Sequence, residues 1–262
     1  MSQAGVQPIE DDRPGWRVAA PRLADALAVN AIPLWGLVHG AWSLGSLLIF
    51  YWLTNLLNTF FTGARILVHR KLTRKRGHWT ATGDRRTTFL ANFVFVNLAF
   101  TLAHGLFVAA FLFGVLRFTP SATELRQGVL VLLGVMTATL ALDCVTIRER
   151  SFAWIRRRAD LALGRMLVVH LGLIGGAFIL ALTERPAGFF AGFVVLKLLF
   201  DVGAALPAGP AGQELPAEPP RYVRWARRFG KPGEFDAAWR QAAEAERRKL
   251  IEAEEALPAP PA

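Results

Sequence analysis

Seven side chains are singled out among the polar or ionisable groups inside long apolar segments of this chain, where such groups are costly and by default suggest function. They are Asn55, Asn97, His104, Asp143, His170, Lys197 and Asp201. Lys197 and Asp201 are four residues apart, so they share one face of a helix and can form an ion pair. Asp143 then needs another cation or donor, and we expect His170 or Lys197 to reach it across the bundle.

Two kinds of chemistry fit these residues. An internally satisfied polar cluster would fix the packing of the helices. A polar path open to both surfaces would instead form a proton or ion relay, or hold a small substrate. The segments that carry Asp143, His170 and Asp201 are almost purely apolar in their outer halves, which favours the structural role. We expect no metal site and no cofactor, because the histidines are scattered and no pair has the spacing of a metal-binding helix.

Apolar helices must position these residues. Of the 262 residues, 53% are hydrophobic and only 19% are charged, and the mean hydropathy is +0.33. A helix needs about 20 apolar residues to cross a bilayer. The sequence therefore predicts an all-α polytopic transmembrane bundle with spans near residues 24–39, 43–66, 87–116, 127–147, 166–183 and 186–206. Continuously apolar runs favour helices over barrel strands, which alternate polar and apolar residues.

Three regions follow from this division. Residues 1–23 are a polar segment without the features of a signal peptide, residues 24–206 are the six-helix transmembrane domain, and residues 207–262 are a linker and a charged tail. Within the tail, residues 234–257 contain strong helix formers and no Pro or Gly, which predicts an amphipathic surface helix.

The distribution of basic residues predicts the orientation. With six spans and a cytoplasmic N-terminus, the inside segments hold 26 Lys and Arg residues and the outside loops hold 3. This asymmetry is a strong positive-inside signal, so both termini are predicted to be cytoplasmic in a bacterial inner membrane. A five-span alternative would fuse the first two segments and place the first three arginines outside, which makes it weaker.

The same arrangement puts polar residues of five spans at a similar depth. Asn55 and Asn58, Asn92 and Asn97, Asp143, His170, and the pair Lys197 and Asp201 all fall in the cytoplasmic half by residue count. Exposure to lipid would be costly for each of them, so they are predicted to face one another as a polar layer. His104 is expected to lie deeper, toward the outside.

Known catalytic patterns are missing from the sequence, which predicts that the protein is not an enzyme. It contains no nucleophile elbow, phosphate-binding loop or dinucleotide fingerprint, and its single cysteine, Cys144, cannot form an internal disulfide. The basic loops and the basic-aromatic stretch at 221–229 are explained by topology, although they could also bind anionic lipid headgroups. The expected partners are the bilayer, anionic headgroups at the cytoplasmic face, and a membrane-protein partner or second copy, but no nucleic acid.

The second span carries the motif Tyr51-Trp52-Leu53-Thr54-Asn55, after an upstream Trp42-Ser43. It resembles the Tyr-Trp-x-Glu-Asn motif of domain-of-unknown-function family 6498, a group of bacterial and archaeal multi-pass membrane proteins. The resemblance covers about residues 30–206 and also includes His104-Gly105, Arg165 with His170, and Lys197 with Asp201. It implies an integral membrane protein of no known reaction. Thr54 replaces the glutamate of the family motif, so an activity that used this acid would be lost here.

These observations predict an integral membrane protein that acts through helix packing and partner contacts. The alternative is a small transporter or a proton or ion relay that uses the polar layer. A cavity that connects the layer to both faces would favour the alternative, and a tightly packed layer with every polar atom paired would favour the first interpretation.

Overall fold

The computed structural model describes residues 43–79, 88–116, 120–183, 186–205 and 233–257, together with Leu23, Ala26, Leu27, Asn30 and His39. Every regular element in these residues is a helix, as the sequence predicts. The one strand-like feature among them is an isolated antiparallel bridge between Lys75 and Ala256.

Six α-helices make up the described structure. They are α1 (Leu44–Thr73), α2 (Phe89–Ala109, continued by a π-helical segment Ala110–Leu116), α3 (Ala122–Thr146), α4 (Phe152–Thr183), α5 (Pro186–Ala205) and α6 (Glu234–Glu254). Short 3-10 turns follow α1 at Arg76–His78 and α3 at Ile147–Glu149. Ser43, Thr88 and Ser121 cap the N-termini of α1, α2 and α3, each accepting a backbone N–H bond three residues ahead.

Four helical segments of the described residues are long and apolar enough to cross a membrane. They are Gly45–Thr73, Phe89–Gly114, Ala122–Glu149 and Phe152–Ile179. Large apolar side chains point outward from them, including Phe95, Leu106, Leu142, Val145, Leu171 and Phe178. A soluble monomer rarely exposes this much contiguous apolar surface, so the outer surface of the bundle suits a hydrocarbon environment.

Two predicted spans are shorter than the helices that the structure shows, at the C-terminal end of α1 and at the N-terminal end of α4. The segment predicted at 24–39 lies outside the described residues except for four positions, and so do the linker and the basic-aromatic stretch at 221–229. The second predicted span continues as helix to Thr73, and α4 begins at Phe152, not at residue 166. Basic residues assigned to loops are therefore helical, because 65–73 and 152–165 contain good helix formers and, apart from Gly164, no helix breaker.

Helix directions alternate along the chain. Gly63 lies beside Leu90 and Val94, whereas Trp52 lies beside Gly105, so α1 and α2 are antiparallel. Contacts of α1 with α3 run from Ser43–Glu124 to Arg65–Asp143, so these helices are parallel. Gly164 faces Phe200 and Gly172 faces Phe193, which makes α4 and α5 an antiparallel hairpin. We call the end at which α1 ends and α4 begins the basic end.

An apolar core fills the opposite end of the bundle. It consists of buried side chains from α1 to α5, including Leu47, Phe50, Leu112, Leu132, Leu173 and Phe193. Polar groups also occur at this end, where Ser46 Oγ accepts a hydrogen bond from the backbone N–H of Ser121 and Glu124 accepts one from the N–H of Ser43.

The tail helix α6 docks on the basic end. Glu254 forms an ion pair with Lys75 (2.6 Å) and accepts a hydrogen bond from the backbone N–H of Ala153 (3.0 Å). Arg156 on α4 pairs with Glu246 at 2.9 Å. The predicted surface helix thus contacts the ends of α1 and α4.

Candidate functional site

Asp143 of α3 lies between two arginines from neighbouring helices. Arg65 of α1, which is buried, donates through Nε to Asp143 Oδ2 at 2.6 Å and through a terminal nitrogen to Thr139 Oγ1 at 3.3 Å. Arg158 of α4 lies 3.3 Å from both carboxylate oxygens. Asp143 therefore connects α1, α3 and α4 at the basic end.

The sequence-based expectation for Asp143 is wrong about its partners. Neither His170 nor Lys197 provides the cation, because Arg65 and Arg158 occupy both carboxylate oxygens. Arg65 was counted among the loop residues that set topology, but α1 continues past it and holds its guanidinium inside the bundle. A helix end that carries a basic residue can direct it inward when an acidic residue of the neighbouring helix lies at the same height.

Asp201 of α5 forms a second cluster. As predicted, it pairs with Lys197 on the same helix face, with Nζ and Oδ2 2.7 Å apart. Asn30 joins both groups, donating to Asp201 Oδ2 at 2.9 Å and accepting from Lys197 Nζ at 2.8 Å. The Lys197 ammonium also lies 4.9 Å from the ring centre of Tyr51. The Lys197 ammonium and Asp201 Oδ2 are satisfied by hydrogen bonds, which helps to stabilise a buried pair, whereas Asp201 Oδ1 has no hydrogen-bond partner among the described residues.

A cavity of about 380 Å³ is lined by residues of both the Asp143 cluster and the Asp201 cluster. Its walls come from α1, α3, α4 and α5, with Ala26 and Arg150 at the edges. Among the described residues, the cationic side chains that line it are Arg65, Arg150, Arg158, Arg165 and Lys197, and the carboxylates are Asp143 and Asp201. The described part of the lining therefore holds five cationic side chains and two carboxylates. The volume lies within the range typical of small-molecule sites.

Among the described residues, buried polar atoms at the cavity without a hydrogen-bond partner include the donors Asn55 Nδ2 and Arg165 Nε and the acceptor Asp201 Oδ1. Asn55, with 7% of its surface exposed, lines the cavity, and its Nδ2 makes no hydrogen bond there. Arg165 Nε lies 3.0 Å from Asp201 Oδ1, but the two atoms do not have hydrogen-bond geometry. A buried donor without a partner costs free energy, so each such group requires an explanation. An acceptor held in the cavity would supply it.

Of the other residues of the predicted polar layer, Asn58 also lines this cavity, whereas Asn92, Asn97, His104 and His170 do not. Asn97 donates to the carbonyl oxygen of Phe93 on its own helix. His104 and His170 meet through their Nδ1 atoms at 3.1 Å, and His104 is buried. Asn92 is exposed on the surface of α2. Four of the seven candidate residues, Asn55, Asp143, Lys197 and Asp201, therefore share one site.

The family-motif residues have distinct environments. Tyr51 is buried against Phe193, with ring centres 5.0 Å apart. Trp52 donates from Nε1 to the carbonyl oxygen of Thr101 at 2.8 Å. Asn55 lines the cavity, as does Thr54, whose hydroxyl donates to the carbonyl oxygen of Phe50. Tyr51 and Trp52 of the motif thus contribute to helix packing, whereas Thr54 and Asn55 contribute to the cavity wall.

Sequence reasoning missed the arginines of α4. Arg158, Leu161, Ala162 and Arg165 all line the cavity. Their spacing of three, four and seven residues is the signature of one helix face. That periodicity could have identified a basic face on α4, had 148–165 not been interpreted as a loop.

A second histidine pair lies at the basic end, outside the cavity. His69 Nδ1 is 2.7 Å from His78 Nε2, and both side chains are fully buried. The backbone carbonyl of Arg150 lies 3.0 Å from His69 Nε2 and accepts a hydrogen bond from Lys75 at 3.1 Å. Burial beside His69, Arg70 and Lys75 lowers the pKa of His78 to about 3. In the described part of the chain, no three His, Cys, Asp or Glu side chains are grouped as metal ligands.

Comparison with known proteins gives one match. The model of DUF6498, a family of unknown function, matches residues 15–218. No curated protein and no solved structure matches the chain.

Proposed function

The chain belongs to the family DUF6498, and we propose that it is a non-enzymatic integral membrane protein that binds an anion in the cavity at the basic end. Binding of the anion would then change the contacts that the protein makes with partner proteins or with a second copy. The observation that carries the proposal is that the described lining of the cavity brings five cationic side chains together with a buried donor, Asn55 Nδ2, that has no acceptor among the described residues.

The proposed topology has six spans with both termini in the cytoplasm of a bacterial inner membrane. The alternating directions of α1 to α5 support it, because they are the directions that the six-span arrangement requires. The basic asymmetry of the sequence places the basic end on the cytoplasmic side. The cavity then lies in the cytoplasmic half of the bundle, where cytoplasmic anions and headgroups of the inner leaflet have access.

Electrostatics favour an anionic ligand. Charges within a membrane domain are costly unless they are paired. Asp143 pairs with Arg65 and Arg158, and Asp201 pairs with Lys197. A bound anion would supply an acceptor for Asn55 Nδ2 next to these cationic side chains. Guanidinium groups suit this role because they present several donors in a fixed plane and keep their charge at all relevant pH values.

The cavity ends inside the bundle, which favours ligand binding over the conduction of ions or protons. Its lining residues on α3 begin at Val135, and those on α4 end at Arg165. Beyond them lies the apolar core of Leu47, Leu132 and Leu173. A relay would need a polar path through this core, whereas a binding site open on one side does not.

The test is ligand-dependent stabilisation of the purified full chain in detergent. Thermal unfolding is measured with inorganic phosphate, sulfate and phosphatidylglycerol, each against sodium chloride at the same ionic strength. At least one anion should raise the midpoint in the wild type, since a ligand at 100 times its Kd stabilises by roughly 2.7 kcal/mol. Arg158→Gln should reduce that rise, and Arg157→Gln, outside the cavity lining on the same helix, should not. Equal responses of wild type and Arg158→Gln to every anion would contradict the proposal.

A further inference from the structure

Resting on the proposed anion binding, we propose that the tail helix α6 regulates the cavity. When α6 is docked on the basic end, it holds α4 in the arrangement that binds the anion, and its release lowers the affinity. The helix spans Glu234–Glu254 and lies outside residues 15–218, the part of the chain that the family model matches. In this chain, therefore, a helix beyond the matched region is seated on the end of the bundle at which the cavity lies.

The carboxylate of Glu254 completes the N-terminus of α4. Its Oε1 accepts the backbone N–H of Ala153 at 3.0 Å, and Ser151 Oγ accepts that of Trp154 at 3.1 Å. The first turn of α4 contains no acidic residue of its own. A negative charge at a helix N-terminus stabilises the first turn through the hydrogen bond and through the helix dipole. Glu254 thus supplies from α6 the acidic group that the first turn of α4 lacks.

Lys75 connects the same carboxylate to the cavity wall. Its ammonium lies 2.6 Å from Glu254 Oε2 and donates to the backbone carbonyl of Arg150 at 3.1 Å. Arg150 precedes α4 by two residues and lines the cavity. Release of Glu254 would remove the carboxylate that orients Lys75 toward this carbonyl. The docked tail therefore acts both on the first turn of α4 and on the cavity residue just before it.

The N-terminal half of α4 carries the contact onward to the cavity. Arg158 and Arg165 lie in this half of the helix (Phe152–Thr183), and both line the cavity. Helices are rigid elements through which a local change is transmitted along their length. A shift or fraying of the first turn would therefore displace these two arginines relative to the residues of α1 and α5 on the other walls. Anion affinity then depends on whether α6 is docked.

The remaining docking contacts are of a kind that breaks and re-forms. The residues after α6 make two backbone hydrogen bonds, from Arg76 N–H to the carbonyl oxygen of Glu255 at 2.7 Å and from Leu257 N–H to that of Arg74 at 3.1 Å. The side chains of Arg76 and Glu255 also pair at 2.8 Å, and both are exposed. Exposed ion pairs contribute little individually. Local opening of α6 therefore requires less free energy than unfolding of the bundle, as regulation by docking demands.

The coupling between the two sites must be reciprocal. If docking of α6 tightens anion binding by a given factor, the anion strengthens docking by the same factor. None of the described residues of α6 lines the cavity. Slower hydrogen exchange in α6 when the anion is present would therefore report this coupling and not direct contact with the anion.

The experiment compares the anion affinity of the full-length wild type, Glu254→Ala and Glu254→Gln in detergent. The midpoint of thermal unfolding is titrated with inorganic phosphate, sulfate and phosphatidylglycerol at constant ionic strength, which gives the apparent Kd. Glu254→Ala should weaken the anion that binds the wild type by roughly fivefold or more, the lower end of typical coupling between sites. Glu254→Gln still accepts the N–H of Ala153 and should weaken it less. Glu252→Ala, at an exposed site of α6, removes the same charge and should leave the Kd unchanged.

The sign of the change separates positioning from general electrostatics. Loss of a negative charge near cationic side chains would by itself tighten anion binding, in Glu254→Ala and Glu252→Ala alike. Weaker binding in Glu254→Ala alone supports the inference, and Glu254→Gln keeps the test decisive should the alanine variant fail to fold. Unchanged or tighter binding in both Glu254 variants overturns the inference and leaves anion binding intact.

Hydrogen exchange of α6 in the wild type, with and without the anion, gives the second readout. Exchange that slows with the anion, and no longer does so in Glu254→Ala, supports the coupling. Exchange that does not respond to an anion that binds overturns it. Failure of every anion to bind the wild type overturns the proposed function and this inference together.

Discussion

Trp52 lies directly over Gly105, so that a Cβ atom on the glycine would be 2.6 Å from the indole Nε1. The same Nε1 donates to the carbonyl oxygen of Thr101, one turn earlier on α2. The side chain therefore fixes the separation of α1 and α2, and only glycine leaves room for it at this position.

Gly105→Ala should destabilise the bundle. The added methyl group must displace Trp52 and stretch its hydrogen bond, and overpacking of this kind typically costs about 1–3 kcal/mol. The control is Gly134→Ala on α3, where an added Cβ meets nothing within 4 Å. That change should be neutral or stabilising by up to about 1 kcal/mol through helix propensity. Thermal unfolding in detergent measures both, and equal midpoints for the two variants would contradict the packing role of Gly105.

Asp201→Ala should lower the folded yield more than Asp201→Asn. Alanine leaves the Lys197 ammonium and the Arg165 guanidinium without their counterion, whereas asparagine still accepts hydrogen bonds. Removal of one partner of a buried pair costs about 3–5 kcal/mol in a soluble core, and less where water or snorkelling relieves the charge. Asp160→Ala, at an exposed carboxylate of α4, is the control. The yield of monodisperse protein is the measurement, and equal yields for wild type, Ala and Asn would refute the structural role of Asp201.

Acid should loosen the contacts around His78. Its folded-state pKa of about 3 lies below the ordinary value of 6.5, so the unfolded state binds the proton first. The contribution of His78 is therefore complete above pH 6.5 and is lost as the pH falls toward 3, by at most about 1.4 kcal/mol per unit before solvent screening. Hydrogen exchange of Arg76–His78 and of α6 at pH 7.5 and 5.0 measures this loss. His78→Gln should show a smaller difference between the two pH values than the wild type.

Glu254→Ala should detach α6 from the basic end. The change removes the ion pair with Lys75 and the acceptor for the N–H of Ala153. Each partly exposed interaction of this kind contributes about 0.5–1.5 kcal/mol. Limited proteolysis at Arg247 and Arg248 should become faster, while Glu252→Ala, at an exposed neighbouring site, should behave like the wild type. Unchanged cleavage in Glu254→Ala would show that other contacts dock the helix.

Reporter fusions test the orientation. Fusions after residue 75, after residue 155 and at the C-terminus should report the cytoplasm, and a fusion at residue 120 should report the exterior. The expectation follows from the ratio of 26 to 3 basic residues on the two sides. An exterior signal at the C-terminus would eliminate the six-span topology and would also place the cavity on the other side of the membrane.

The sequence by itself determined the helical class, the approximate positions of four helices that are long and apolar enough to cross a membrane, and the Lys197–Asp201 pair. Each depends on local information, namely the hydropathy of a continuous segment or the three- and four-residue periodicity of one helix. The family match over residues 15–218 also confirms the membership in family 6498 that the resemblance implies.

Only the tertiary structure decided which polar residues meet. Asp143 pairs with Arg65, 78 residues earlier in the chain, and the histidines 104 and 170 form a pair, while Asn97 bonds to its own helix. Hydropathy gives the depth of a residue but not the rotation of its helix about its axis, and the rotation is set by packing such as that of Trp52 on Gly105. The cationic lining of the cavity arises from the same cause, since α1, α4 and α5 must turn Arg65, Arg158, Arg165 and Lys197 toward one space before those charges lie together.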